Sequence, residues 1–324
     1  LEGLSIAPEL VVFYNTENFY APQLKQYPRS DIPKSGLRNW NEARYQNKLL
    51  KFTQVFNYLR LEEGLLPMLI GLAEIETNQV LEDIVNQDVF KGNYAFVHYD
   101  SPDQRGVDTA LLYDKTKLEL LYSEVYSEIF EGEIGMLPVP STTRDILYAR
   151  FRYGPVELSI YVLHLPSKRQ KEVGMAKRKI ILDKLQRKIR DKLLQNPLEN
   201  IVVMGDFNEN PTEANLQDFV AFNNKSEIVL INFFEELYNK KKFSTFHRSE
   251  GLLFDQIILS PAFLEQENSI EFLHAKVFDS RHLIERSPHN KKRGHPFRTY
   301  AGTRYLGGYS DHFPVFIKIK IKVK

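Results

Sequence analysis

Residues 200–214 read NIVVMGDFNENPTEA. The run from Ile201 to Met204 is short, continuously apolar and rich in β-branched residues, which reads as a buried strand. It empties into a polar loop at Asp206 and Asn208. A carboxylate at the end of a buried strand is costly to desolvate unless it is paired, hydrogen-bonded or bound to a cation. One such residue is usually ordinary hydrogen-bonded structure, so the weight lies in whether the chain repeats the pattern.

It does. Toward the N-terminus, VELSIYVLHL (156–165) closes on His164, PMLIGLAE (67–74) on Glu74, and ELVVFYN (9–15) on Asn15 with Glu17 just beyond. Toward the C-terminus, LLFDQIILS (252–260) carries Asp255 inside an apolar run, and Asp311 and His312 lead into FPVFIKI. Six strand ends therefore supply Asp, Glu, Asn or His.

Between them lie helical patterns and further strands. Tyr45, Leu49, Phe52, Val55, Phe56 and Leu59 predict a helix over 41–61. Thr77 or Asn78 predicts the cap of a short helix through Val85. Residues 175–194 predict a long amphipathic helix with Leu182, Leu185, Ile189 and Leu193 on one face. YAFVHY (94–99), VDTALLYD (107–114) and LELLYSEVYSE (118–128) read as strands, and ILYARFRY (146–153) pairs with 156–165 as a hairpin across Gly154-Pro155. In the tail HFPVFIKIKIKVK (312–324), Ile317, Ile319, Ile321 and Val323 alternate with four lysines, predicting a strand with one wet face that guards a sheet edge. The expected class is α/β: stacked sheets flanked by helices, in one domain over 1–324. Residues 20–40, 130–143 and 279–309 are irregular and long enough to be functional loops.

Composition narrows the classes. The chain has 324 residues, 43% hydrophobic and 26% charged, which excludes a disordered tail or a fibrous repeat. Cysteine is absent, so there is no disulfide framework, thiolate nucleophile or Cys-ligated zinc. The net charge of +1 excludes a uniformly basic nucleic-acid coat. The charge is uneven, however. Residues 168–192 hold eleven Lys/Arg against three Asp/Glu, and 281–304 hold seven against one. The first segment reads as a solvated helix face. The second mixes its bases with His289, His295, Phe297, Tyr300 and Tyr305 and runs toward Asp311 and His312, so it reads as the lining of a substrate site, with Arg298 and Tyr300 as candidate contacts.

No run reaches the ~18 apolar residues of a membrane span. LEGLSIAPEL lacks the basic-then-apolar pattern of a signal peptide, though a chain starting after signal cleavage would look the same. The expected location thus stays open between cytoplasm and secretion, and no obligate protein partner is expected.

The residue types suit one chemistry. Asp and Glu are hard oxygen ligands that favour Mg²⁺ or Mn²⁺. His can donate hydrogen bonds to an oxyanion, and Asn can position a water or a carboxylate. Hydrolysis of a phosphate ester needs this set.

GDFNENPTEA (205–214) together with YSDHFPVF (309–316) resembles the endonuclease/exonuclease/phosphatase superfamily, the fold of pancreatic-type deoxyribonuclease and abasic-site exonucleases. The likeness extends in the family's order through FYNTENFY (13–20), LIGLAEIET (69–77), RGVDTALLYD (105–114), VLHLPSKR (162–169) and FDQIILS (254–260), nearly the whole chain. NTENFY departs from the Asn-x-Asn/Asp-Gly-Leu of many nucleases of this fold, and HPFRTYAGTRYLGGYSDH (295–312) resembles a bacterial subgroup labelled only by the family name. The resemblance implies a four-layer α/β/β/α sandwich of two packed mixed sheets, with the site at one rim between them.

It also implies roles. Glu74 is the principal metal ligand and Asn15 helps hold the metal site. Glu17 is a second ligand or touches a metal-bound water, with Asn18 as its competitor. Asp206 orients or deprotonates the attacking water, and Asn208 contacts a phosphate oxygen. Asp311 fixes His312, which donates to phosphoryl oxygens. Other accounts of the family make this His the general base or give Asp311 a metal. His164 is a second donor, Asp255 supports the adjacent His, and Arg105 clamps a phosphate. The implied cofactor is Mg²⁺, with Mn²⁺ as a substitute. Three readings remain: a metal-dependent phosphodiesterase on nucleic acid, the same chemistry on a small or lipid phosphoester, or a non-catalytic phosphate-binding protein.

Overall fold

Alternate residues of a strand point to opposite faces, so a strand apolar on both faces must be covered twice. The structure is a computed structural model that describes residues 8–22, 37–101, 105–127, 144–168, 171–221, 229–266, 268–286 and 294–322, with the backbone of four two-residue strands between 129 and 142. The first elements are β1 (Pro8–Phe19), α1 (Glu42–Glu63), β2 (Leu69–Ile75), α2 (Asn78–Val85), β3 (Tyr94–His98), β4 (Asp108–Asp114) and β5 (Glu119–Tyr126). Four short strands follow: β6 (Ile129–Phe130), β7 (Glu133–Ile134), β8 (Leu137–Pro138) and β9 (Ser141–Thr142). Then come β10 (Ile146–Tyr153), β11 (Val156–His164), α3 (Lys171–Gln195), β12 (Asn200–Asp206), α4 (Ala214–Val220) and α5 (Phe234–Asn239). The last are β13 (Thr245–His247), β14 (Glu250–Leu252), β15 (Asp255–Leu259), β16 (Ile270–Val277), β17 (Tyr300–Ala301), β18 (Arg304–Tyr305) and β19 (Val315–Ile321).

Two sheets carry the architecture. The first runs β16-β19-β1-β2-β4-β3 and the second β15-β12-β11-β10-β5. Both are mixed: β1 pairs β2 in parallel and β11 pairs β12 in parallel, while their other neighbours are antiparallel. Alternation assigns the layers. Leu158, Ile160 and Val162 of β11, with Val202 and Met204 of β12, join the core shared with the first sheet. Tyr161, Leu163, Ile201 and Val203 pack instead with Ile181, Leu182, Leu185 and Ile189 of α3. On the far side, Tyr45, Leu49, Phe52 and Phe56 of α1 and Val80, Leu81 and Ile84 of α2 cover the first sheet. This is the expected α/β/β/α sandwich. The sheets approach closely at Gly71, where an added Cβ would meet Met204 Sδ at 2.8 Å.

Local signals explain the helices. The Asn41 side chain accepts from Arg44 N at the start of α1, and Gly64, left-handed at φ 83°, closes it. The 252–260 run is not one strand, because Leu252 belongs to β14 and β15 starts at Asp255. In the basic segment Arg187, Lys188 and Arg190 are exposed, as a solvated face requires, but Arg178 is buried and donates to Glu209 Oε1 at 2.7 Å.

One expectation fails outright. β19 lies between β16 and β1, so its lysines guard no edge. The edge strand is β16, whose sequence IEFLHAKV gives no clean alternation. Lys318 instead reaches Glu63 of α1 at 3.7 Å, a carboxylate that Lys276 also meets at 2.7 Å. Val323 and Lys324 lie outside the described residues. Among the described residues no helix is long and apolar enough to cross a membrane.

Candidate active site

The second sheet presents a regular row. Register sets His164 of β11 opposite Asp206 of β12, and Asp206 opposite Asp255 of β15. All three continue the parity of Ile160, Met204 and Ile257, so they fall on the face toward the first sheet. Gly205 makes this row possible: a Cβ there would meet the Leu163 carbonyl oxygen at 2.2 Å. Asp206 Oδ1 accepts the Asn208 backbone N–H at 2.9 Å, and Oδ2 accepts Asn15 Nδ2 at 3.0 Å from the other sheet. His164 Nε2 stands 3.5 Å from Asp206 Oδ2. The Asn208 side chain donates to Leu165 O at 2.9 Å.

Asp255 is fully buried and holds a histidine. Its Oδ2 is 2.6 Å from His312 Nδ1 and accepts from Ser244 Oγ at 2.5 Å. Burial alone would lower the His312 pKa, but Asp255 outweighs it and holds the imidazolium well above the usual range. Burial raises Asp206, the Asp255 charge adds to this and His312 opposes it, leaving Asp206 pushed up to about 7. Burial, followed by Arg144, keeps His164 well below the usual range and hence neutral.

The first sheet presents irregularity instead. β1 and β2 stay in register through Asn15 and Ala73, and the next pair is Phe19 with Ile75, so residues 16–18 face Glu74 alone. β2 also slips against β4 between Ala73 and Ile75. Such bulges re-aim side chains. Glu17, Asn18 and Glu74 take φ of 56°, 53° and 68°, a region that side chains rarely adopt, and Asn208 takes 52°. Glu74 Oε2 accepts Asn18 N at 2.7 Å, Oε1 accepts Arg105 Nη2 at 3.0 Å, and His164 Nε2 lies 4.0 Å from Oε1. Burial would raise Glu74, yet Arg105, His164 and Arg144 outweigh it and hold the carboxyl well below the usual carboxylate range.

The structure thus brings Asn15, Glu74, His164, Asp206, Asp255 and His312 together. Other expected residues stand differently. Glu17 does not face this group: its carboxylate oxygens accept Thr299 N at 2.6 Å and Tyr300 N at 3.0 Å, which anchors the 299–300 backbone. His312 takes its carboxylate partner from Asp255 rather than Asp311, whose nearer oxygen is 3.9 Å from His312 Nε2. Asp311 Oδ2 accepts from Arg298 Nη2 at 2.8 Å, which ties up the arginine expected to touch substrate. Tyr300 is 3% exposed, donating to Arg38 O and accepting from Arg44, so it is packed rather than open. His289 lies outside the described residues.

Sequence reasoning missed Lys48. Its Nζ donates to Thr299 Oγ1 and Tyr309 O, each at 2.7 Å. Burial lowers it to about 8, against Glu17 and Asp311. Burial and Asp311 push Glu17 up to about 7, against Lys48 and Arg298. The signal was a lysine on the apolar stripe of α1 between Tyr45 and Phe52. Arg144, whose Nη1 donates to His164 O at 3.1 Å, and Ser244 had no such signal.

Two groups among the described residues have ligating atoms close enough to hold a cation: Asp206–Asp255–His312 and His98–Asp100–Asp108. In the first, the His312–Asp255 bond makes a proton-holding pair. Glu74 stands outside both, but one buried, ionised carboxylate already suits Mg²⁺, which takes one or two and leaves its other positions to water and phosphate.

Residues 10–321 match the model of a family described as the Endonuclease/Exonuclease/phosphatase family. No curated protein sequence matches the chain. Among solved structures it is similar to an endonuclease/exonuclease/phosphatase family protein from Bacteroides thetaiotaomicron, at 15% identity and TM-score 0.59 over 99% of this chain and 98% of that one. It is also similar to the mannosyl-6-phosphatase of the same organism, at 16% identity and TM-score 0.59 over 96% and 99%. D. rerio TDP2 complexed with a single-strand DNA product aligns at 16% identity and TM-score 0.55 over 97% and 99%.

Proposed function

The chain belongs to the endonuclease/exonuclease/phosphatase family, and from that premise we propose a divalent-metal-dependent phosphoesterase that hydrolyses phosphodiesters by in-line attack of water on phosphorus. The observation that carries this reading is the convergence of Glu74, Asn15, His164, Asp206 and the Asp255–His312 pair where the two sheets meet.

Glu74, with Asn15 beside it, would hold Mg²⁺, which supplies Lewis-acid neutralisation of the phosphate charge when bound. Asp206 orients the attacking water and takes its proton. Neutral His164 donates to an equatorial oxygen or to the leaving group. His312, kept protonated by Asp255, donates to the phosphoryl oxygens, and Asn208 closes the cradle with its remaining N–H. Arg105, which donates to Glu74 Oε1 through Nη2, clamps a phosphate oxygen in this reading. Each such donor is worth ~10²–10³ in rate.

The nature of the esterified alcohol is a separate matter. Stacking of bases needs open rings. Here Tyr300 is packed and the Arg44 guanidinium lies 4.4 Å from the Tyr305 ring centroid. That favours a small phosphoester over nucleic acid as the second reading. Plasmid DNA, bis-p-nitrophenyl phosphate and a panel of phosphomonoesters, each with Mg²⁺ or Mn²⁺, distinguish the cases. The expected result is metal-dependent diester turnover that Glu74→Ala abolishes. Nicking of DNA assigns nucleic acid, and turnover of small diesters alone assigns the second reading. Turnover of monoesters only, or of nothing, overturns the proposal.

A further inference from the structure

Another set of ligating side chains stands on the first sheet, apart from the groups described so far as catalytic. His98 ends β3, Asp108 opens β4 and Asp100 lies between them, with one donor atom of each within 4.8 Å of the others. The His98 side chain is 1% exposed. Its Nδ1 is 2.7 Å from Asn78 Oδ1 of α2. A carbonyl oxygen only accepts, so Nδ1 carries a proton and Nε2 is the ring atom left to take another ligand. That atom is buried without a hydrogen-bond partner and faces Asp108 Oδ2 at 3.5 Å.

A separation of 3.5 Å suits two ligands that each stand ~2.0 Å from one metal ion. The Ser101 backbone N–H occupies only the other oxygen of Asp108, Oδ1, at 3.1 Å. The surroundings add negative charge. Asp145, close enough to Asp108 for their charges to interact, is 6% exposed, and its Oδ1 also has no hydrogen-bond partner.

We propose that His98 Nε2, Asp108 Oδ2 and the Asp100 carboxylate bind a divalent transition-metal ion of the Zn²⁺ type, at a site distinct from that of Glu74. One imidazole with two carboxylates suits such an ion better than Mg²⁺ or Ca²⁺. Asn78 acts as the outer partner that fixes the tautomer and the ring orientation. The ion joins α2, β3 and β4. Asp108 pairs with Ile75, next to Glu74, and Arg105, three residues before Asp108, is bonded to Glu74. The ion therefore braces the segment that delivers Arg105.

The test is Zn²⁺ titration by calorimetry at pH 7 on Glu74→Gln, which removes the carboxylate proposed for Mg²⁺, with the thermal midpoint and the zinc X-ray absorption edge read in parallel. Substitution of His98 separates this site from the Asp206–Asp255–His312 group. The expected result is one Zn²⁺ per chain, a raised midpoint, and one imidazole nitrogen at ~2.0 Å. Adding His98→Gln is expected to weaken binding at least tenfold and to remove the nitrogen and the rise in midpoint. Asp100→Asn, at an exposed position, should weaken binding in the same direction if His98→Gln does not fold. Unchanged affinity and midpoint shift in whichever of these variants folds overturn the proposal. So does a His98 ring with both nitrogens protonated in the Zn²⁺-saturated protein, seen by ¹⁵N NMR. Neither readout depends on hydrolysis, so failure of the phosphoesterase reading leaves this result interpretable.

Discussion

The two sheets supply the rim in opposite ways. The second sheet lines up His164, Asp206 and Asp255 by plain ladder register, with Gly205 as a steric concession and left-handed Asn208 only past the end of β12. The first delivers Glu74 through two register slips and three left-handed residues, Glu17, Asn18 and Glu74. Groups that hand protons along need fixed spacing, which a regular ladder provides. A carboxylate that must stay ionised while buried needs donors on both oxygens, and the bulge brings Asn18 N and Arg105 to Glu74. Backbone strain persists only where surrounding contacts over-determine it. The first half should therefore be sensitive to backbone changes, and the second to charge and volume.

The largest effect belongs to the row. Asp206→Asn is expected to lower kcat by roughly 10²–10⁴ while leaving the fold intact. Burial and Asp255 push Asp206 up to about 7, so its water-activating carboxylate form gains population as pH rises through about 7, and kcat/KM should climb over that range. Stability runs the other way. A carboxyl raised in the folded state stabilises most below its unfolded value and loses that contribution as pH rises to about 7. Denaturation midpoints of the wild type should fall from pH 4 to 7 more than those of Asp206→Asn. Glu17 titrates in the same window, so the activity limb should survive Glu17→Gln if Asp206 carries it.

Next in size is Lys48, the buried lysine of α1 whose charge acts on Glu17 and Asp311 of the first sheet's half of the rim. Lys48→Met leaves Glu17 and Asp311 facing Arg298 alone among the basic groups that act on Glu17. Breaking a buried ionic set by removing one partner is worth about 3 kcal/mol. The loss should be smaller at pH 6 than at pH 8, because Glu17 then takes up a proton, and Lys48→Met with Glu17→Gln should recover part of it in urea unfolding.

Volume comes third. Gly205→Ala pushes a methyl against the backbone oxygen of Leu163, which cannot move without breaking the ladder, so a loss of about 3 kcal/mol is expected. Gly71→Ala meets Met204 Sδ, the far end of a flexible side chain, and should lose about 1 kcal/mol. Equal losses would mean that the second sheet is not the more rigid of the two.

The same contrast explains what was legible in the sequence. Buried strands ending in Asp, Glu, Asn or His were readable, because apolar runs and their polar stops are local. Stacked sheets flanked by helices followed from the strand-rich pattern with helices between, and the four-layer order followed from the family resemblance. Strand order was not readable: the alternating lysines of β19 look like an edge, yet an interior strand can have half-buried lysines when a helix carboxylate such as Glu63 meets them. Nor did the residues choose between the two carboxylates expected to support His312: the resemblance gave such a role to both Asp255 and Asp311, and the fold brings Asp255 to Nδ1 at 2.6 Å. Glu17 matched the family's position for a ligand, but the bulge turns it to the 299–300 backbone.

The smallest effect probes the bulge itself. Asn18 sits at φ 53°, its N–H donates to Glu74 Oε2, and its Oδ1 is 3.4 Å from Arg105 Nη1. Alanine keeps the N–H but pays for the left-handed backbone, about 1 kcal/mol in thermal or urea unfolding. Glycine adopts that backbone freely and should be within a few tenths of the wild type, apart from the lost contact to Arg105. If Asn18→Ala is destabilised and Asn18→Gly is not, the strained turn is an independent demand of the first sheet. If the two variants fall together, the side-chain contact to Arg105 matters and the backbone does not, and the contrast between a strained half and a regular half of the rim disappears.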